Sequence, residues 1–155
     1  MIPDAQCPCG DQGPQSLNAL CQDAARAFSQ MRWEWLRAIA QQESGSCANQ
    51  RAFEVTAGPS VGIFQINARG NPFARGSSPQ RLVDDCTFNA ELAAKTLNDA
   101  LVHSGHDLTK AFGSYFAGET FVDRFGLDKR PPGNPLTPRQ YAQAIEKILS
   151  SWAVS

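Results

Sequence analysis

Glu43 stands where a carboxyl group can work as an acid. It follows the segment WEWLRAIAQQ and precedes Ser44-Gly45, which places it in the last turn of an apolar helix. Trp33, Leu36, Ala40 and Glu43 fall at i, i+3, i+7 and i+10, which is one helix face. The carboxyl therefore shares a stripe with core residues. Burial disfavours its anion, and the negative end of the helix dipole disfavours it further, so its pKa is expected to be raised. A carboxyl kept protonated near neutral pH is what a general acid needs to cleave a glycosidic bond. The plainer reading is a half-exposed glutamate at a frayed helix end, with Gly45 as a left-handed cap. Residues downstream bear on the choice.

The elements that must position this acid can be read in outline. Residues 1–15 are rich in Gly, Pro, Cys and Gln and predict an extended arm. Ser16 caps a first helix, in which Leu17, Leu20, Cys21, Ala24, Phe28 and Met31 keep a helical period. The Glu43 helix runs from about Arg32 to Ser44. Residues 45–61 read as loop, with a short strand at Phe53–Thr56. Residues 62–67, GIFQIN, are too short and apolar to type by period. Residues 68–81 read as irregular. A helix begins near Thr87 or Asn89 and carries Leu92, Leu97 and Leu101. Asp107 caps the next helix, with Leu108, Phe112 and Tyr115 on one side. Residues 118–136 read as a long loop. Thr137 then caps a last helix, with Pro138 at its first position and Gln140 completing a capping box. Tyr141, Ile145, Ile148, Leu149 and Trp152 form its buried face. About five helices, little strand and three long loops are expected, and loops this long in a compact helical domain are usually functional or disordered.

The chain has 155 residues, enough for one domain, with an arm over 1–15 and the domain over 16–155. A hydrophobic content of 42% allows a real core, and 19% charged residues argue against disorder. The net charge is −1 and no basic stripe is visible, so no nucleic-acid partner is expected. No apolar run approaches the ~20 residues of a membrane span. The N-terminus has no basic start and no apolar stretch, unlike a signal peptide. Either the chain is retained where it is made or a leader has been removed from it.

There are five cysteines, Cys7, Cys9, Cys21, Cys47 and Cys86. Cys-x-Cys is not the spacing of a zinc site or a CxxC redox motif, and neither His103 nor His106 lies near them in sequence, so no metal is expected. A Cys47–Cys86 bridge would staple the long loop beside Glu43, and Cys21 could pair with Cys7 or Cys9. The alternative is five reduced, buried thiols.

Four short pieces give the chain a resemblance. They are Glu43-Ser44, Gly62-Ile63-Phe64-Gln65-Ile66, Tyr115-Phe116-Ala117-Gly118 and Tyr141. In this order they resemble the lytic transglycosylases, which share a lysozyme-like fold. The resemblance covers roughly residues 30–150. It implies a mainly α, lysozyme-like single domain with little or no β structure, acting outside the cytoplasm as a monomer on the peptidoglycan glycan strand. Glu43 would be the sole catalytic acid and then base. Gln65 would hydrogen-bond the sugar N-acetyl group or hold the strand that does. Ser44, Phe64 and Ile66 belong to the same substrate-binding motifs. Thr56 stands where the family often has Ser, and keeps the hydroxyl. Tyr115 would donate toward Glu43 or the substrate, and Tyr141 would close the cleft from the last helix. The cleft is expected between the Glu43 helix and residues 62–67, roofed by residues 118–136. Two positions depart from the family pattern: Phe64 replaces the usual Met, and Phe116 the usual Asn.

The resemblance implies cleavage of the β-1,4 bond between N-acetylmuramic acid and N-acetylglucosamine. Glu43 would protonate the leaving oxygen, the substrate's N-acetyl group would stabilise the developing charge, and the muramic C6 hydroxyl would close a 1,6-anhydro end. No metal or organic cofactor is required. A hydrolase of the goose-lysozyme kind is the nearest rival. It needs a second carboxylate about 6.5–9.5 Å away to activate water, with Glu54, Asp84 and Asp85 as candidates. The rival from another class is a glycan-binding component of a phage tail or secretion machine, a reading that Phe116 favours and an intact Glu43 disfavours.

Overall fold

The computed structural model describes residues 1–50, 53–55 and 58–154. The chain divides into two compact units, Met1–Lys95 and Thr96–Ser155. Seven α-helices and two small sheets occur among the described residues, so the mainly α fold class expected from the sequence holds.

In the first unit, helix α1 spans Leu17–Ala25. Ser16 caps it as predicted, its hydroxyl accepting from the Ala19 N–H at 3.1 Å. Leu17, Leu20, Cys21 and Ala24 form its buried face. The helix ends before Phe28 and Met31, whose N–H groups close short turns onto Ala25 and Phe28 carbonyls instead. Helix α2 spans Trp33–Ser44 and packs on α1. Leu36, Ala38, Ile39 and Ala40 are fully buried along it.

The arm is ordered. Strand β1 (Gln6–Cys7) pairs antiparallel with β2 (Gln15–Ser16), and a 3-10 turn at Gly10–Gln12 lies between them. Asp4 fastens it to α1. Its carboxylate accepts from the Ser16 hydroxyl at 2.6 Å and from the Asn18 N–H at 2.9 Å. Strands β3 (Phe53–Val55), β4 (Gly58–Val61) and β5 (Ile66–Asn67) form an antiparallel sheet in that order. Ser60 stands opposite both Phe53 and Asn67. The predicted strand is therefore present over Phe53–Val55, and Thr56 lies outside the described residues.

Helix α3 (Pro79–Asp84) begins inside the stretch expected to be irregular over 68–81; Ser78 caps it, its hydroxyl accepting from the Arg81 N–H at 3.1 Å. Helix α4 runs from Cys86 to His103.

The disulfides correct the expected pairing. Cys7 bonds Cys47 and Cys9 bonds Cys86, with Cα–Cα separations of 5.4 and 5.6 Å. Cys47 and Cys86 are not joined to each other. Cys21 is a buried thiol on the apolar stripe of α1, where it packs as a small hydrophobe.

The second unit contains α5 (Leu108–Ala117), α6 (Glu119–Phe125) and α7 (Pro138–Ser151). Asp107 caps α5 through the Lys110 N–H at 3.0 Å. The capping box of α7 is complete: Thr137 accepts from the Gln140 N–H at 3.1 Å, and the Gln140 side chain accepts from the Thr137 N–H at 2.9 Å. Helices α5 and α7 pack together, with Phe112, Tyr141, Ile145 and Leu149 buried. Helix α6 overturns the expectation of an unbroken loop over 118–136. Val122 gives it a buried anchor, and Gly118 and Gly126 bound it.

Candidate active site

The end of α2 is held from several sides. Glu43 lies in its last turn, half-buried, on the same face as Leu36 and Ala40, both 0% exposed. Gly45 ends the helix at φ 59°, its N–H donating to Gln41 O at 3.0 Å. Ser46 and Cys47 follow with φ of 58° and 70°. Two successive non-glycine residues in the left-handed region cost energy that the surroundings must offset. The restraints are visible. Ser44 is buried, its hydroxyl donating to Ala40 O at 3.1 Å and accepting from the Cys47 N–H at 3.0 Å. Arg37, 3% exposed, donates to the Ser46 hydroxyl at 2.9 Å, to Asn18 Oδ1 at 2.9 Å and to Pro3 O at 3.0 Å. Burial pulls the Arg37 pKa below its usual value, against the opposing influence of Cys21 and Asp4. Cys47 is tied to the arm by its disulfide.

The GIFQI motif forms the tight turn between β4 and β5. Gly62 has φ 84°, and a Cβ there would stand 2.3 Å from Asn89 Nδ2 and 2.5 Å from Leu82 O. Only glycine fits that backbone and that gap. Gln65 closes the turn at φ 49°, its side-chain Nε2 donating to Gly62 O at 2.9 Å. Asn89 on α4 is 0% exposed and grips the turn from behind. Its Oδ1 accepts from the Phe64 N–H at 3.0 Å, and its Nδ2 donates to Leu82 O at 2.9 Å and Val61 O at 3.2 Å. A fully hydrogen-bonded buried amide fixes a backbone more sharply than apolar packing does. Phe64 and Ile66 are 0% and 2% exposed. Phe64, expected among the substrate-binding residues, has its side chain wholly buried.

Two of the carboxylates considered as second catalytic groups have local duties. Asp85 accepts from the Phe88 N–H at 3.0 Å, as an N-cap of α4, and lies 3.9 Å from Arg81. Asp84 accepts from the Gln80 side chain at 2.7 Å. The third, Glu54, is the central residue of β3, its backbone paired opposite Pro59.

In the second unit, Tyr115 is partly exposed on α5. Tyr141 on α7 is 2% exposed and stacks on Phe116, with ring centroids 4.6 Å apart and planes at 14°. Phe116, the departure from the family pattern, thus has a packing partner.

Arg37 and Asn89 are the positioning residues that sequence reasoning missed. A buried arginine inside a helix and an asparagine near a helix start carry no distinctive local signal. A shallow hollow of about 390 Å³ lined by Gln22, Phe28, Met31, Trp33 and Glu34 lies at the opposite end of α2 from Glu43, and no predicted site residue lines it. Among the described residues no group of three or more His, Cys, Asp or Glu is arranged to hold a metal ion.

The segment that carries the acid, the GIFQI turn and Tyr115 coincides with a known family. The transglycosylase SLT domain model matches residues 21–130, well over half of the chain. The chain belongs to this family. The SLT domain as matched contains Glu43, Gln65, Asn89 and Tyr115, while Cys7, Cys9 and Tyr141 lie outside the matched span. No curated protein and no solved structure matches the chain. Lytic cleavage of peptidoglycan glycan strands is the family-level activity of an SLT domain.

Proposed function

We propose that this SLT domain cleaves the β-1,4 bond between N-acetylmuramic acid and N-acetylglucosamine without water, leaving 1,6-anhydromuramic ends. The observation that carries the reading is Glu43, an acid in a firmly held helix end within the family match. Glu43 gives its proton to the leaving oxygen and, as the anion, takes one from the muramic C6 hydroxyl, which then closes on C1. The substrate's N-acetyl group offsets the positive charge on the ring, so one carboxylate suffices. Gln65 and its turn receive the N-acetyl group, and Tyr115 is a second substrate contact. The engagement of Asp85 in capping α4 and of Asp84 with Gln80 supports a site with a single acid. The stack of Phe116 on Tyr141 supplies a structural reason for the feature that favoured a mere glycan clamp.

Peptidoglycan lies outside the cytoplasm, and two disulfides suit an oxidising compartment. No helix among the described residues is long and apolar enough to cross a membrane.

Mass spectrometry of the soluble products from purified peptidoglycan tests the proposal. Products one water lighter than reducing muropeptides are expected. Ordinary reducing ends would make water the nucleophile and Glu54 the next residue to substitute. Binding without release of products would leave only a glycan clamp.

A further inference from the structure

We propose that the tripeptide Cys7-Pro8-Cys9 is a positioning element of the candidate site: its two disulfides hold the turn that follows Glu43 and the corner that backs the Gln65 turn, so cleavage requires both bridges. The inference rests on reading Glu43 and Gln65 as functional.

One residue separates the two half-cystines, and it is a proline with fixed φ. Both cysteines are buried, at 0% and 1% exposure. One bond reaches Cys47, four residues after Glu43, in the left-handed stretch of Gly45, Ser46 and Cys47. That backbone is strained and relaxes unless restrained. The other reaches Cys86 at the start of α4, three residues before Asn89, whose amide holds the carbonyl of Val61 and the N–H of Phe64. The same tripeptide therefore touches the supports of the acid and of the glutamine.

Contacts around it tighten the arrangement. Pro8 O accepts from the Gln50 side chain at 3.3 Å. Gly10 runs so close to the end of α3 that a Cβ would stand 2.8 Å from Asp84 Cβ. The bridges close loops across sequence separations of 40 and 77 residues, too long for local structure to hold without them. Burial pushes the Cys21 thiol up to about 12, so it is a poor nucleophile for exchange with either bridge.

The test compares the oxidised protein, the protein reduced with a phosphine, and the paired variants C7S/C47S and C9S/C86S. Release of soluble fragments from purified peptidoglycan is measured beside far-ultraviolet circular dichroism. Reduction is expected to lower the rate about tenfold or more, as displacement of catalytic groups does, with the helical signal kept and the rate restored on re-oxidation. C7S/C47S is expected to lower kcat, because the acid is displaced. C9S/C86S is expected to raise KM, because the Gln65 turn is loosened. A reduced, folded protein that cleaves at the oxidised rate overturns the proposal. So does loss of the helical signal on reduction, which would make the bridges general staples of the fold. An oxidised protein without activity would instead sink the functional reading. Hydrogen exchange then decides: faster exchange confined to residues 43–50 and 61–67 on reduction upholds the clasp, and uniform or absent change removes it.

Discussion

Two regions of this molecule gather acidic chemistry, and they are built in opposite ways. At the end of α2 a single half-buried glutamate stands in a frame of fixed parts: a buried Ser44 hydroxyl, the Arg37 guanidinium, a disulfide and a left-handed turn. On α4 and α6 a histidine meets several carboxylates in the open. His103 Nε2 lies 2.7 Å from Asp123 and Nδ1 lies 3.6 Å from Glu119, with the histidine side chain 45% exposed. Asp99 hydrogen-bonds Glu119 beside them. By count of titratable groups the second region is the richer. By restraint of its groups it is the poorer, because His103 and Asp123 are exposed and solvent screens their charges. Catalytic promise follows from how firmly one group is held, not from how many lie together.

Loss of the proton at Glu43 is expected to do the most damage. Glu43→Gln keeps shape and removes the proton. Cleavage is expected to fall by roughly 10²–10⁴-fold, the usual worth of a general acid, while the thermal midpoint changes little. Muropeptide release and a melting curve on one preparation check both halves. Normal turnover by the variant would move the chemistry elsewhere, and the cluster on α4 and α6 would be the first place to look.

Next is the frame itself. Gly62→Ala places a Cβ against Asn89 Nδ2 and Leu82 O at a φ of 84°. Overpacking and left-handed strain together are expected to cost about 2–4 kcal/mol, read by urea denaturation. Cleavage should fall with it, since the Gln65 turn must shift. A Gly62→Ala variant as stable as the parent would show that the turn yields, and the contrast between a rigid and a loose region would weaken.

A smaller effect belongs to Phe116. Phe116→Asn restores the residue usual in the family and removes the ring stacked on Tyr141. A loss of roughly 1–2 kcal/mol in stability is expected, with little change in cleavage per folded molecule. A rise in cleavage would return a substrate role to that position.

The sequence made some of these parts legible and hid others for physical reasons. Caps are local, so Ser16, Asp107 and the Thr137–Gln140 box could be read from a few neighbours. The stripe that carries Glu43 spans three helical turns, long enough for its period to register. Helix α6 has seven residues between two glycines, too few for a period beside a proline-rich stretch. Helix α3 did carry a signature, Ser78-Pro79 as cap and first residue, but its glycine- and proline-rich surroundings masked it. Disulfide pairing is decided by which distant segments meet, and separations of 40 and 77 residues leave no local trace. Asn89 was equally silent: an amide near a helix start looks like any surface residue until its three buried backbone partners are known.

A weaker, pH-dependent effect belongs to His103. The hydrogen bond to Asp123, then the charges of Asp123 and Glu119, hold the His103 pKa above its usual value. Glu119 is raised as well, first by burial and then by its hydrogen bond to Asp99. Both shifts mean that the folded state holds protons the unfolded chain would release. Stability from His103 is therefore fully present below its unfolded value of about 6.5 and is lost as pH rises through the folded value. The Glu119 contribution has the same sign, falling as pH climbs from the ordinary carboxylate range to its folded value. His103→Gln should lower the melting temperature slightly in acid and not at all in alkali, while the cleavage rate per folded molecule stays at the parent level. Melting curves across pH beside muropeptide release read both. A variant that kept its fold but lost cleavage would make the exposed cluster part of the machinery. An unchanged rate would leave it a proton-dependent clasp between α4 and α6, with the chemistry at the restrained acid.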